Sequence, residues 1–122
     1  MYQQRSPVER SPDEVEVLGF AGCPNYLPAL RQVQATLENI GVQSAVELLQ
    51  VNSDELATQT RFLGSPSIRV NGLDVEVAAR HSPHFGVGCR TYVVLGKRQG
   101  LPPQQWIEDT IREVMANVGV PA

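Results

Sequence analysis

The hydrophobic pattern changes period several times along the chain. Over residues 14 to 20, Val15, Val17, Leu18 and Phe20 are apolar without clean alternation, which predicts a central strand covered on both faces. Leu30, Val33, Leu37 and Ile40 then recur at helical spacing and predict a helix over residues 25 to 40. Pro28 falls in its first turn, where no intrahelical N–H is needed, and Gly41 stops it. Residues 42 to 51 read as a second strand with Val46, Leu48 and Leu49 as its core. Asn52-x-x-Glu55 has the form of a capping box and opens a second helix, packed through Leu56, Ala57, Thr60 and Phe62 and ended by Gly64.

The second half is more broken. Ser65 to Val70 predicts a strand that begins at a proline, where a missing N–H costs least. Asn71-Gly72 is the strongest hairpin signal in the chain. Residues 73 to 77 alternate, which puts Leu73, Val75 and Val77 on one face and Asp74 and Glu76 on a solvated one. Residues 78 to 88 form a loop, residues 89 to 95 a further β-like run, and residues 96 to 100 a basic turn. Trp106, Ile107, Ile111, Val114 and Val118 mark a final amphipathic helix, ended by Gly119 and Pro121. The first twelve residues are polar with two prolines and read as a flexible tail before a single domain over 13–122. The order β-α-β-α-β-β-(loop, β)-α predicts an α/β fold: a mixed sheet of about four strands, with room for one extra, and helices on both faces.

Composition narrows the function classes. A net charge of -3 gives no basic field for nucleic acid. No run of about 18 apolar residues occurs, so no membrane span is expected. The first residues lack the apolar core of a signal peptide and carry Glu9, Asp13 and Glu14, which points to a cytoplasmic, reducing location. The chain has two cysteines, Cys23 and Cys89. In that setting a catalytic, redox or metal-binding role is the alternative to two inert thiols.

Cys23 holds the most suggestive place. It follows the first strand, precedes Pro24 and stands at the start of the first helix, where the macrodipole and outward N–H groups favour a thiolate. These features resemble the thioredoxin fold, over roughly residues 13 to 118. Cys23-Pro24 lies between first strand and first helix, Gly64-Ser65-Pro66 stands where that fold has its cis-proline, and the last helix follows a hairpin. Within the fold the chain is similar to small bacterial thioredoxin-like proteins often labelled alkylmercury lyase-like. The matching pieces are Gly22-Cys23-Pro24-Asn25, residues 62 to 72, Asp74-Val75-Glu76 and residues 88 to 92. Two cysteines fall short of the larger set expected of true organomercurial lyases, and no separate N-terminal domain of theirs is read here.

The resemblance implies a cis bond before Pro66. It also implies a substrate groove formed by Pro24, Asn25, Tyr26, Ser65 and Pro66, in which the proline loop pairs with bound peptide backbone. Tyr26 takes the place of the second thioredoxin cysteine, so a local dithiol cannot form. Monothiol glutaredoxins share that loss and resolve through glutathione or another thiol; Arg31 and Arg69 are the nearest basic residues here. Cys89 reaches the Cys23 end of the sheet if residues 73 to 77 run back from a tight hairpin, and begins at the opposite end if residues 90 to 95 are the fourth strand. A disulfide needs Cα atoms within about 7 Å. His81 and His84 could add to a zinc site with either cysteine, against the plainer reading of two solvent-facing histidines.

The expected function is thiol–disulfide redox chemistry or soft-metal handling, of mercury or copper, through Cys23. Cys89 is the candidate resolving or second thiol. No cofactor is expected, and the partner is a small-molecule thiol or a protein thiol or disulfide. The competing class is a non-enzymatic scaffold that docks a partner beside Cys23 and Pro66. Carbon–mercury cleavage is a third reading, for which no proton donor is assigned.

Overall fold

In the computed structural model, which describes residues 12–118, Val15–Gly19 forms strand β1 with hydrogen-bonded neighbours on both edges. Its missing alternation follows from this position: Val15 and Val17 are buried in one layer and Leu18 in the other. Strand β2, Val46–Gln50, lies parallel to one edge of β1, with Val17 opposite Leu48. Strand β3, Ser67–Val70, lies antiparallel to the other, and β4, Leu73–Asp74, pairs antiparallel to β3. The sheet order is β2-β1-β3-β4.

Helices cover both faces, as the order of elements predicts. Helix α1, Tyr26–Asn39, and helix α3, Gln104–Val118, close the larger core, in which Val33, Leu37, Ile107, Ile111 and Val114 meet Val15, Val17, Ile68 and Val70. Helix α2, Asp54–Thr60, covers the opposite face, where Ala57 and Phe62 pack on Leu18 and Val51. The Asn71-Gly72 hairpin forms as expected, with φ of 49° and 80° at the turn. Among the described residues no helix is long and apolar enough to cross a membrane.

Several details differ from the sequence expectation. β2 is an edge strand, so Leu48 is 42% exposed and Val46 and Leu49 are half-buried. The cap of α2 is Ser53, not Asn52; its Oγ accepts the Leu56 N–H at 3.1 Å. β4 ends after two residues and gives way to a 3₁₀ turn, Val77–Ala79, which leaves Val77 on the surface. The expected basic turn is half of a second hairpin. β5, Tyr92–Val94, pairs with β6, Lys97–Gln99, around Leu95-Gly96, where φ is 52° and 80°. That hairpin is a separate two-stranded sheet, docked on α3 by an edge-to-face contact of Tyr92 with Trp106, centroids 6.4 Å apart. Residues 1–11 of the expected tail, and Gly119 and Pro121 of the expected helix stop, lie outside the described residues.

The largest correction concerns Asp74 and Glu76. Asp74 is buried, 5% exposed, and accepts a bidentate pair from Arg90, with both N–O distances 2.8 Å. Glu76 accepts from the same guanidinium at 3.0 Å, and Ser67 Oγ accepts from it at 3.0 Å. The Arg90 guanidinium also lies over the Tyr92 ring, 4.6 Å from its centroid. Burial is the largest influence on Arg90 and works against its charge, but the hydrogen bonds to Asp74 and Glu76 and the charge of Asp74 together outweigh it, and its pKa lies above the ordinary value. Arg90→Ala would leave Asp74 buried without its counter-charge. It is expected to destabilise the fold by about 3–5 kcal/mol, read as a lower urea midpoint.

Candidate functional site

The chain leaves β1 through a turn in which the Cys23 N–H donates to Phe20 O at 3.0 Å. The Tyr26 N–H then donates to Cys23 O at 3.3 Å, and α1 begins. Cys23 therefore stands one turn ahead of the helix. Asn25 is its N-cap residue, without a side-chain cap bond. The Cys23 side chain points into the larger core and is 6% exposed. Its thiol donates to Ser65 O at 3.6 Å, a weak hydrogen bond to a carbonyl.

Ser65 lies just before β3, and the Ser65–Pro66 peptide bond is cis. Both residues are buried. The backbone of Ser65 is occupied by the chain's own loop: the Ser65 N–H donates to Gly88 O at 2.7 Å, and the Arg90 N–H donates to Ser65 O at 2.9 Å. These bonds make an isolated parallel bridge between Ser65 and Cys89. Cys89 thus sits one inter-strand step, about 4.8 Å, from Ser65, and is exposed. Tyr92 reinforces the arrangement, because its buried hydroxyl donates to Pro66 O. Burial pushes the Tyr92 phenol well above its ordinary pKa, so it stays a donor.

Two buried hydroxyls near Cys23, Ser65 Oγ and Tyr26 Oη, have no hydrogen-bond partner among the described residues. Burial raises the pKa of Tyr26, which keeps its proton in place. Gly19 makes room for both side chains. A Cβ there would lie 2.5 Å from Ser65 Oγ and 2.5 Å from Tyr26 Cδ1.

The residues assigned to one substrate groove separate. Cys23, Pro24 and Tyr26 line an open groove of about 550 Å³ together with Arg31 from α1 and Leu48 and Gln50 from β2. Asn25 turns instead toward Gly100, whose Cβ, if present, would lie 2.8 Å from the Asn25 Cγ. Ser65 and Pro66 are not in the groove wall. Arg31 shares the groove with Cys23, whereas Arg69 belongs to the other face of the sheet, since its neighbours Ile68 and Val70 face the α1–α3 core. His81 and His84 are exposed, and no group of three or more His, Cys, Asp or Glu residues able to hold a metal ion occurs among the described residues.

Sequence reading misses Arg90 and Tyr92, which fix the Cys89 segment, and Leu48 and Gln50, which wall the groove. Gly19, a glycine inside a strand, is the one such residue with a sequence signal, that of close approach by other groups. Comparison with protein-family models, characterised proteins and solved structures finds no match.

Gly19→Ala is expected to lower stability by about 1–3 kcal/mol through overpacking against Tyr26 and Ser65. Chemical denaturation measures it, and a normal midpoint would mean that both side chains move aside freely.

Proposed function

We propose that the protein is a thioredoxin-like thiol protein that exchanges disulfides through Cys23 and Cys89. The observation that carries this reading is the position of Ser65 between the two cysteines. Its carbonyl takes the Cys23 thiol and its backbone pairs with Cys89. The thioredoxin resemblance is supported by the sheet order β2-β1-β3-β4, the cis bond at the head of β3 and the place of Cys23 before α1.

Exposure sets the order of the two steps. The thiolate of exposed Cys89 attacks a small-molecule or protein disulfide and expels one of its sulfurs as a thiolate. Cys23 then gives up its proton and attacks the Cys89 sulfur of the mixed disulfide. The second substrate sulfur leaves as a thiol, and a Cys23–Cys89 disulfide remains. The substrate gains two electrons and two protons, and a cellular thiol reduces the protein again. A reducing, cytoplasmic setting belongs to the same proposal. The pair also suits a linear two-thiolate ion, Hg(II) or Cu(I), because both ligands flank one residue. A scaffold reading draws on one observation, the burial of Cys23 beside an open groove.

Exposure to excess aromatic disulfide, followed by mass analysis, separates these readings. The wild type is expected to end as a monomer with an internal Cys23–Cys89 disulfide, and Cys23→Ser to stop as a mixed disulfide on Cys89. Cys89→Ser is expected to react at least about tenfold more slowly, since a buried thiol has little access. A wild type that keeps a free Cys23 after Cys89 has reacted would overturn the paired mechanism and leave the scaffold.

A further inference from the structure

On the α2 face of the sheet, three arginines line a small cavity of about 70 Å³. Arg61 comes from the C-cap of α2, Arg69 from the middle of β3, and Arg80 from the end of the 3₁₀ turn. Ser82 and Phe85 of the loop complete the wall, and no wall residue is shared with the groove beside Cys23.

Among the negative groups nearby, Asp74 and Glu113 are held by arginines, and Glu16 stands across the sheet from Arg69 without an ion pair among the described residues. Asp74 lies in the wall, but both of its carboxylate oxygens are taken by Arg90. Glu113 gives both of its oxygens to Arg80, at 2.9 and 3.0 Å. Arg61 and Arg69 have no ion-pair partner among the described residues. Arg69 spends one N–H on Arg61 O, at 2.6 Å. Arg61 lies over the Phe85 ring, 5.0 Å from its centroid, a cation–π contact that holds the guanidinium in place. Burial lowers the pKa of Arg69; Asp74 and Glu16 oppose that shift, and the charges of Arg90 and Arg61 add to it.

We propose that this cavity binds a small tetrahedral oxyanion of the phosphate class, gripped by Arg61 and Arg69 with Arg80 beside them. Arg61 and Arg69 make no ion pair at contact distance among the described residues, and their planar forks match the oxygens of such an anion. The volume is room for a few water molecules and so for one compact anionic group, not an extended ligand. The group is either free inorganic phosphate or the terminal phosphate of a monoester.

Titration with inorganic phosphate and with glycerol phosphate, each against sodium chloride at equal ionic strength, tests this on the full chain. Calorimetric binding and a saturable rise in Tm with inorganic phosphate are expected. Response to glycerol phosphate as well would identify a monoester site, and its absence a free-anion site. Arg61→Asn keeps the left-handed backbone of residue 61, at φ 57°, and is expected to weaken binding about tenfold. Arg98→Gln, on the exposed β5–β6 hairpin, controls for net charge and is expected to bind normally. A phosphate response no larger than that of chloride, full affinity in Arg61→Asn, or an equal loss in Arg98→Gln would overturn the proposal.

Discussion

A guanidinium removed from water costs several kcal/mol unless its donors and charge are met in place. Arg90 meets that condition with groups from three parts of the chain. Asp74 and Glu76 come from β4 and the residues after it, Ser67 from β3, and the Tyr92 ring from β5. None of these can shift without uncovering a charge. The pair thereby pins the C-terminal end of the loop that follows the 3₁₀ turn. Arg80, through its ion pair with Glu113 and its bond to Asp74 O, pins the beginning. The path of the chain between them is set by those two anchors and by the Gly86 N–H on Phe62 O.

The consequence for the sheet is an unequal pair of faces. The α1–α3 side is a dry core of valines, isoleucines and leucines. The α2 side is dry only under the short helix, around Leu18, Val51, Ala57 and Phe62. Beyond it the layer is built of Ser67, Arg69, Asp74 and Arg90, roofed by the loop. A seven-residue helix is too short to cover four strands, so polar groups that satisfy one another fill the remainder.

This division explains what was legible in the sequence. Elements whose packing is apolar announce themselves: Val15, Val17 and Leu18 of β1 and the 3.6-residue stripes of α1 and α3; the Asn71-Gly72 turn does so through its residue types. The helix cap was misplaced by one residue because Asn52 and Ser53 are both good caps and the choice between them is made by the backbone. Asp74 read as solvated because alternation reports which side a residue faces, not what waits there. Its partner lies 16 residues further on, beyond the 78–88 loop that carries no periodicity. β6 stayed hidden because Lys97, Arg98 and Gln99 are all exposed and carry no apolar signal, and Leu95-Gly96 is not a common turn pair. Around Cys23, the strand–cysteine–helix layout was readable. The shielding of its thiol was not, since it depends on Ser65 and on the core behind it.

The edge of Ser65 bears most directly on access to Cys23. A strand end with free N–H and C=O groups is a template for an extended partner. Here residues 88 to 90 already fill it, and Arg90 and Tyr92 hold them there with a buried ion pair and a bond to Pro66 O. A partner that approached along this edge would have to displace them and uncover the Arg90 charge. The groove on the other side carries no such cost. It opens between the first turn of α1 and edge strand β2, with Leu27 and Leu48 exposed, Arg31 at hand and Cys23 in its wall. The β2-side groove is therefore the less costly approach to Cys23, whereas the Ser65 edge is filled by residues 88 to 90.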